Sequence, residues 1–288
     1  MDVTAKIENA LKDAVALADV PGCPPRLAAA MRDAVFPRGA RIRPRLCHAV
    51  AFACGEEHHP ATTAAGVALE LLHCASLVHD DLPCFDAADI RRGRPSIHKA
   101  YGEPLAVLTG DALIVLAFQT LSRVTCAPER LALLTLTVAR SVGVPSGIVA
   151  GQAWECESKI DLEHYHRAKT GALFAAATVA GAASAGVDAE PWRIVGEKLG
   201  EAYQVADDIR DAAAAEDEIG KPIGRDIALG RPSAVGALGI DGALHRLHDL
   251  VHGAIASMPP CPNGSELRTL ILSEAKRLVP KNLAQVAA

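Results

Sequence analysis

Residues 69–98 read LELLHCASLVHDDLPCFDAADIRRGRPSIH, and the rest of the chain can be interpreted from this stretch. It begins as a long apolar run, which is typical of a buried helix, and reaches the adjacent carboxylates Asp80 and Asp81. Pro83 predicts the end of that helix, because a proline ring clashes with the preceding turn and supplies no backbone N–H. The stretch therefore predicts an apolar helix that carries paired aspartates at its carboxyl end.

The next residues add charges of both signs. Asp86 and Asp89 are followed by Arg91, Arg92 and Arg94. Carboxylates at this density repel one another unless a cation lies between them, and such oxygen ligands suit Mg²⁺ bound together with substrate phosphates. Arginine supplies planar pairs of donors that match phosphate oxygens. Taken alone, the segment is interpreted either as a solvated surface loop or as a magnesium–phosphate site.

A second aspartate cluster ends another apolar helical run, which reads AYQVADDIRDA over residues 202–212. Asp207 and Asp211 are spaced i and i+4 and share one helix face, with Asp208 beside them. Like charges at that spacing destabilise a helix, so an uncompensated cluster is disfavoured. One such motif is typical of a solvated helix face. Two of them, each ending an apolar helix and each followed by glycine and basic residues, indicate a site for divalent cations and phosphates.

With both clusters considered, the chain resembles the trans-type isoprenyl diphosphate synthases. Their two aspartate-rich motifs are similar to DDLPCFD at residues 80–86 and DDIRD at residues 207–211. The four residues between Asp81 and Asp86 make the first motif similar to the bacterial geranylgeranyl type, including enzymes of carotenoid and bacteriochlorophyll synthesis. Further similarities follow the family's order along the chain: RIRP at 41–44, RRG at 91–93, Lys169 with Thr170, Gln204, and GKPIGRD at 220–226.

The composition favours an all-α fold. Half of the 288 residues are hydrophobic but only 3% are aromatic, so the apolar mass is alanine, leucine and valine. Alternating strand patterns are almost absent. No linker or shift in composition divides the chain, which predicts a single domain over residues 1–288. The resemblance implies a helical bundle around a deep central cavity, and a homodimer.

Charge and cysteine usage argue against several classes of function. A net charge of −5 argues against a nucleic-acid partner in spite of the arginine clusters. The eight cysteines form no CxxC pair and are interpreted as thiols in a reducing compartment. No signal-peptide pattern opens the chain, and the longest uncharged run, residues 170–187, is too weakly apolar to predict a membrane span. We expect a cytoplasmic protein.

The resemblance also implies roles for individual residues. Three Mg²⁺ ions would be held by the aspartates of both motifs, namely Asp80, Asp81, Asp86, Asp207, Asp208 and Asp211. The catalytic residues would be Asp80, Asp81, Asp86, Lys169, Thr170, Gln204 and Asp207. Substrate would be bound by Arg43, His73, Arg91, Arg92, Lys169, Thr170, Gln204, Lys221 and Arg231. The implied substrates are isopentenyl diphosphate and an allylic diphosphate with a dimethylallyl, geranyl or farnesyl chain.

Residues 212–232 are rich in glycine and charge and are expected to form a mobile loop. Lys221 and Arg231 within it are candidates to close over bound phosphates. The implied reaction is a head-to-tail prenyl transfer, in which oxygens of Thr170 and Gln204 stabilise an allylic cation. The resemblance implies that the released pyrophosphate takes the final proton.

One position departs from the family's pattern. Ala40 stands where the family has a lysine that helps to hold isopentenyl diphosphate. Arg41 is a candidate to reach the phosphate in its place. Arg43 matches an arginine of the family's motif and is expected to bind the same substrate.

Product length is expected to depend on the side chains below the first motif. Ala75 and Ser76 lie about one helical turn before Asp80, and Leu72 lies a further turn down. The family's shorter-product enzymes have bulky aromatic residues at the first two of these positions. Small residues leave the cavity open, so we predict geranylgeranyl rather than farnesyl diphosphate.

A farnesyl diphosphate synthase is one alternative function, and three others were compared with the sequence. A terpene cyclase would use the same metals, but it usually needs aromatic side chains, which are few here. A catalytically silent partner subunit of a prenyl synthase would be expected to lose aspartates from one cluster, yet Ala40 keeps this alternative open. A calcium-binding helical module would not explain Arg91, Arg92, Lys169 and Lys221.

Overall fold

The computed structural model describes residues 2–36, 39–56, 59–159, 162–213 and 233–278. Within these ranges the regular structure is almost entirely helical, which confirms the predicted all-α class. A π turn at Arg167–Gly171 and short 3₁₀ turns at Ala16–Ala18, Trp154–Cys156 and Glu190–Trp192 lie between longer helices. These helices are α1 (Val3–Val15), α2 (Pro25–Val35), α3 (Ile42–Ala53), α4 (Pro60–Asp80), α5 (Ile97–Tyr101), α6 (Glu103–Ser122), α7 (Pro128–Val142), α8 (Ile148–Ala153), α9 (Leu162–His166), α10 (Ala172–Ala185), α11 (Arg193–Ala213), α12 (Ala234–Ala256) and α13 (Gly264–Leu278).

Helix α4 forms the middle of the bundle. Its residues 61–72 are buried apart from the half-buried Thr63, and it packs against α3, α6 and α10. The helix ends at Asp80 with Asp81 as its C-cap residue, just before Pro83 as predicted. The hydrophobic core thus fixes the position of the first aspartate motif.

Helix α10 is also buried on all sides, and small residues allow its neighbours to approach closely. A Cβ atom added to Gly181 would lie 2.5 Å from the carbonyl oxygen of Cys47 on α3. On α11, a Cβ atom added to Gly196 would lie 2.5 Å from the Cα atom of Ala175. Helices α3 and α11 therefore pack directly on α10, and α11 carries the second aspartate motif alongside it.

The helical region over residues 162–185 is not one continuous α-helix. A π turn at Arg167–Gly171 separates α9 from α10 and contains both Lys169 and Thr170. The wider turn changes the direction in which these two side chains leave the helix, and π turns occur frequently at functional sites.

A short antiparallel ribbon between α4 and α5 was not predicted. Strand β1 (Ile90–Arg91) pairs with β2 (Arg94–Pro95). The turn between them places Arg92 and Gly93 at φ values of 53° and 74°, in the left-handed region that favours tight hairpins. The ribbon presents Arg91 and Arg92 beside the end of α4.

Two described helices, α4 and α6, are long and apolar enough to cross a membrane when judged by length and composition alone. The most apolar part of α4 is 78% buried inside the bundle, as expected of a core helix, whereas that of α6 is 39% buried. The outer face of α6 exposes Val107, Leu108 and Val115. Helix α6 thus has a largely aliphatic face, interrupted by the exposed Asp111, that the described residues do not cover.

Candidate active site

The first aspartate motif is held by an arginine from the ribbon. Asp81 is 3% exposed, and Arg91 donates to it through Nε, at 3.0 and 3.2 Å from the two carboxylate oxygens, and through Nη2, at 2.5 Å from Oδ1. Burial raises the pKa of Asp81 above its ordinary value, although Arg91 opposes the rise. The backbone N–H of Asp86 donates to the carbonyl oxygen of Asp80 at 2.9 Å, so the third aspartate folds back over the helix end.

Lys169 reaches the same motif from the π turn. Its Nζ atom lies 3.5 Å from Oδ1 of Asp80 and 2.5 Å from Oε1 of Glu155. Burial alone would lower the pKa of Lys169, but Asp80, Tyr165 and Glu155 together raise it. Burial also raises the pKa of Asp80 against the opposing effect of Lys169. A protonated ammonium group therefore lies between two carboxylates.

A chain of hydrogen bonds connects the π turn to the second motif. The Thr170 hydroxyl donates to Oε1 of Gln204 at 3.0 Å, and the Gln204 amide donates to Oδ1 of Asp208 at 3.0 Å. The other oxygen of Asp208 accepts the backbone N–H of Ala234 at 2.7 Å, at the start of α12. Burial raises the pKa of Asp208 in spite of these two hydrogen bonds. Asp207, its neighbour, is instead paired with Arg210 at 2.6 Å.

A separate group of cations lies behind the first motif. Arg43 is 8% exposed, its guanidinium lies 5.0 Å from the centre of the Phe174 ring, and its buried Nε has no hydrogen-bond partner among the described residues. Burial lowers the pKa of Arg43. Burial and the nearby charges of Arg43 and Arg92 lower the pKa of His73 well below its ordinary value. Positive charge and an unpaired buried donor are the features expected of an anion site.

The Arg92 side chain extends toward the RIRP segment. A Cβ atom added to Gly39 would lie 2.8 Å from Nη2 of Arg92, so the guanidinium lies directly against this glycine. A cavity of about 110 Å³ lies next to this region and is lined by Asp81, Arg91 and Cys74 among others. Arg92, which also lines this cavity, thus has open space beside it.

The carboxylates of the two motifs form a donor set that fits a divalent cation. Within the described ranges, no three side chains of metal-binding type lie close enough together to hold one ion. Asp80 instead faces Lys169, Asp81 faces Arg91, and Asp207 is paired with Arg210 of its own motif. These aspartates offer hard oxygen donors in a partly buried setting where negative charge needs neutralising, which is the chemistry that Mg²⁺ satisfies.

Proteins of similar sequence identify the family. The family described as polyprenyl synthetase matches residues 24–254. The chain belongs to the polyprenyl synthetase family. It is 53% identical over 284 residues to the geranylgeranyl diphosphate synthase of Cereibacter sphaeroides, covering 98% of both chains. It is 51% identical over 280 residues to the geranylgeranyl diphosphate synthase of Rhodobacter capsulatus, covering 97% of both.

The fold is similar to that of solved structures of related enzymes. A crystal structure of the Helicobacter pylori geranyltransferase complexed with magnesium and isoprenyl diphosphate matches with a TM-score of 0.79 at 28% identity. The match covers 96% of this chain and 98% of that one. The family predicted from the two aspartate motifs is confirmed.

Hydrogen bonds connect several of the predicted site residues to the two aspartate motifs. Lys169 is in contact with the first motif, and Thr170 reaches the second motif through Gln204. Lys221 and Arg231 lie outside the described residues, as does most of the predicted loop over 212–232, so their roles stay predictions.

Arg41 has a structural role instead of the phosphate contact considered for it. Its guanidinium donates to Oε1 of Glu8 at 2.9 Å, to Oε1 of Glu70 at 2.7 Å and to the carbonyl oxygen of Val35 at 2.8 Å. Burial would lower the pKa of Arg41, but Glu70 and Glu8 raise it. These contacts join α1, α2 and α4 at the N-cap of α3, and Arg41 therefore does not stand in for the lysine missing at Ala40.

The three residues predicted to set product length differ in their surroundings. Ala75 and Leu72 are each 1% exposed and belong to the packed core. Ser76 is only partly buried and lies one turn before Asp80 on the same face of α4, with its hydroxyl donating to the carbonyl oxygen of His73 at 2.8 Å. Of the three, Ser76 is the one whose side chain has room beside it.

The sequence did not point to Glu155, which lies in the 3₁₀ turn after α8 and contacts Lys169. A carboxylate between two short helices has no periodic relation to the π turn, so only the tertiary structure reveals the contact.

The sequence also does not predict a further cavity, which has a volume of about 710 Å³. It runs between α7, α10 and the start of α11 and is lined by Ala176 and Val179 among others.

Proposed function

We propose that this protein is a Mg²⁺-dependent prenyltransferase that condenses isopentenyl diphosphate with an allylic diphosphate to form geranylgeranyl diphosphate. The observation that carries the proposal is the presence of two separate clusters of charged residues toward the carboxyl end of α4, which we interpret as sites for two diphosphates. One consists of the aspartate motifs with Arg91 and Lys169, and the other of Arg43, His73 and Arg92. The relatives from Cereibacter sphaeroides and Rhodobacter capsulatus, which match over nearly their full lengths, are named for the same product.

The allylic diphosphate is assigned to the aspartate motifs. Asp80, Asp81 and Asp86 on one side and Asp207, Asp208 and Asp211 on the other would hold Mg²⁺, and we propose three ions. The Helicobacter pylori relative, whose structure is described as complexed with magnesium and isoprenyl diphosphate, supports this assignment. Bound Mg²⁺ supplies positive charge that neutralises the diphosphate and its departing form.

Isopentenyl diphosphate is assigned to the basic group behind the motif. Arg43 offers a buried Nε donor without a partner in the described structure, and Arg92 adds a second guanidinium. His73 is held neutral by its lowered pKa, so it can donate one hydrogen bond without adding charge. A diphosphate would neutralise the arginines and occupy the unpaired donor.

The reaction begins when the carbon–oxygen bond of the allylic diphosphate breaks and its electron pair leaves with the pyrophosphate. Arg91, Lys169 and, by proposal, Lys221 and Arg231 stabilise the developing negative charge. The oxygens of Thr170 and Gln204 are the dipoles assigned to stabilise the allylic cation. The double bond of isopentenyl diphosphate then attacks the cation, and the proton lost from the product goes to the released pyrophosphate.

Product length is assigned to the side chains on α4 below Asp80. The partly buried Ser76 lies on the side of the helix that carries Asp80, and its small side chain leaves room for a growing chain. Ala75 and Leu72 are proposed to contribute from the adjacent core. This arrangement supports geranylgeranyl over farnesyl diphosphate.

The assembly is proposed to be a cytoplasmic homodimer of single-domain subunits, without a nucleic-acid partner or a membrane span. The exposed face of α6 supports an interface, since the aliphatic side chains that flank Asp111 on it are unfavourable in water. The mostly buried state of α4 supports its role as a core helix.

A silent partner subunit is retained as the second candidate because of a specific observation. Ala40 removes a phosphate contact, and Arg41 is occupied by Glu8 and Glu70 and does not replace it. A weakened isopentenyl diphosphate site would leave a protein that binds the allylic substrate but turns over slowly.

The deciding experiment is incubation of the pure protein with Mg²⁺, isopentenyl diphosphate and each allylic starter, followed by sizing of the products. Geranylgeranyl diphosphate supports the proposal, whereas farnesyl diphosphate as the end product contradicts the assignment of product length. If no product forms and Ala40→Lys restores synthesis, the silent-subunit function is favoured. An Asp80→Asn control should lower the rate by about a hundredfold or more, since it removes charge from the site.

A further inference from the structure

The short segment from Gly151 to Glu155 packs against the π turn that carries Lys169. A Cβ atom added to Gly151 would lie 2.5 Å from the backbone nitrogen of Lys169 and 2.7 Å from its Cα atom. Only glycine permits α8 to lie this close to the backbone of the turn. The segment therefore contacts the main chain of Lys169 directly and is well placed to fix it.

Glu155 accepts hydrogen bonds from donors on several described residues at the end of this segment. Its Oε2 accepts the Gln152 amide at 2.9 Å, and its Oε1 accepts the Tyr165 hydroxyl at 2.7 Å and the Lys169 ammonium at 2.5 Å. Gln152 and Tyr165 come from the helices on either side, so they fix the orientation of the carboxylate. A carboxylate held by two neutral donors is a rigid acceptor for the ammonium group.

The position of Lys169 depends on this acceptor. A lysine side chain is flexible and carries a compact charge that moves to the strongest available acceptor. Its Nζ atom lies 2.5 Å from Glu155 but 3.5 Å from Asp80, so the ammonium is held beside the first aspartate motif and not directly on it. Among the described residues, Asp80 is the other carboxylate paired with this ammonium, so the charge would move toward it without Glu155.

We propose that Glu155 is a positioning residue that holds the Lys169 ammonium beside Asp80, an inference that rests on the function proposed above. Placed in this way, Lys169 can contact a diphosphate without neutralising the aspartate that the metal would need. The role acts through Lys169, since Glu155 itself has its acceptor oxygens turned toward protein donors.

The test compares Glu155→Gln with Glu155→Asp and with Glu157→Gln, an exposed neighbour that serves as the matched control. We expect Glu155→Gln to lower kcat and to weaken allylic diphosphate binding by about tenfold to hundredfold, as loss of a second layer of support typically does. The KM for isopentenyl diphosphate should be unchanged, Glu155→Asp should recover part of the loss, and Glu157→Gln should match the wild type. A split of this kind is not expected if Glu155 merely supports the fold.

A measurement independent of turnover uses an unreactive allylic thiodiphosphate and calorimetry in the presence of Mg²⁺. We expect Glu155→Gln to weaken binding of the thiodiphosphate by the same factor, with melting temperature close to that of the wild type. If Glu155→Gln does not fold, Tyr165→Phe provides the second variant, because it removes one hydrogen bond to Glu155 and keeps the aromatic ring. Tyr165→Phe should then weaken thiodiphosphate binding in the same direction, and unchanged binding overturns the proposal.

A double-mutant cycle with Lys169→Met decides whether Glu155 acts through Lys169. If it does, Glu155→Gln will have little further effect in the Lys169→Met background. Additive losses, or a Glu155→Gln variant equal to the wild type, overturn the proposal while leaving the prenyltransferase function intact. A wild-type protein that neither binds the thiodiphosphate nor forms product overturns the function itself and the inference with it.

Discussion

The pair formed by Asp81 and Arg91 depends on a property of arginine that lysine lacks. Arg91 donates through both Nε and Nη2, and a lysine has only one donor atom to offer. We predict that Arg91→Lys lowers kcat/KM for the allylic substrate by about tenfold to hundredfold, because a charge-assisted hydrogen bond is worth about 1.5–3 kcal/mol. Steady-state kinetics measure the effect.

The matched control for this substitution is Arg94→Lys on the neighbouring strand, whose side chain is exposed. It makes the same chemical change in the same ribbon and should leave kcat/KM within about twofold of the wild type, as most surface changes do. Equal losses of kcat/KM in both variants would mean that the ribbon is sensitive to any lysine. The two-atom hydrogen bonding of Arg91 to Asp81 would then have no special role.

Ser76 and Ala75 are adjacent in sequence but should respond differently to bulky substitutions. Ser76→Phe adds a ring on the partly buried side of α4 below Asp80, so we predict that the main product shifts from geranylgeranyl to farnesyl diphosphate. Ala75 is 1% exposed within the core, and Ala75→Tyr should lower the free energy of unfolding by about 1–3 kcal/mol through overpacking. Product sizing and urea denaturation measure the two outcomes.

An unchanged product from Ser76→Phe would place the growing chain elsewhere. The cavity between α7 and α10 is then the alternative, and Ala176→Phe tests it because Ala176 lines that cavity. A shorter product from Ala176→Phe alone would move the determinant of product length from α4 to α10.

At the residue scale, the sequence pointed to candidate site residues but not to the side chains that they contact. The aspartates of both motifs and the arginines of the ribbon are recognisable because charge next to an apolar helix demands compensation. Glu155 and the buried partners of Arg41 could not be predicted, since their contacts join segments that are distant in sequence. Only the packed bundle determines which carboxylate receives which cation.

At the element scale, helix existence followed from apolar runs and proline positions, and α4 ends where Pro83 predicted. The π turn at Arg167–Gly171 could not be predicted, because no local signal in an apolar run distinguishes a wider turn from an ordinary one. Gly151 packs closely against the backbone of Lys169 within this turn. Tertiary packing, and not helix propensity, therefore decides how Lys169 is displayed.

Helix α3 contains a histidine that should make the stability of the protein depend on pH. His48 is buried, its Nε2 atom has no hydrogen-bond partner among the described residues, and burial lowers its pKa to about 4. The folded protein keeps the imidazole neutral, whereas the unfolded chain takes up a proton near the ordinary value of 6.5. Its contribution to stability is therefore fully present above that value and is lost as the pH falls from about 6.5 to about 4.

We predict that His48→Leu reduces this dependence. At pH 5 the wild type should lose about 2 kcal/mol of unfolding free energy through His48, and the variant should not. Urea denaturation at pH 7 and pH 5 measures the difference, with His245→Leu on the exposed side of α12 as the control. Parallel losses in the wild type and His48→Leu would assign the acid sensitivity to other groups.

At the scale of the whole molecule, the bundle brings together motifs that are far apart in sequence. Helix α10 lies between α4 and α11, and its π turn contacts the first motif through Lys169 and the second through Thr170. The sequence predicted that the two motifs belong to one site, because both are aspartate clusters that end an apolar helix. The structure adds that the π turn is the link between them, so displacement of α10 should disturb both motifs together.

The exposed face of α6 allows a prediction about assembly. Val115 is 56% exposed and Leu108 is 52% exposed on a helix that is otherwise strongly apolar. Burial of such side chains in a partner subunit is worth about 1.5–3 kcal/mol for each residue, and a buried unpaired carboxylate reverses that gain. We therefore predict that the wild type is a dimer and that Val115→Asp is monomeric by light scattering, while Leu272→Asp on α13 stays dimeric. A monomeric wild type that floats with phospholipid vesicles, and loses this property in Val115→Asp, would assign the apolar face of α6 to a membrane surface and exclude the dimer.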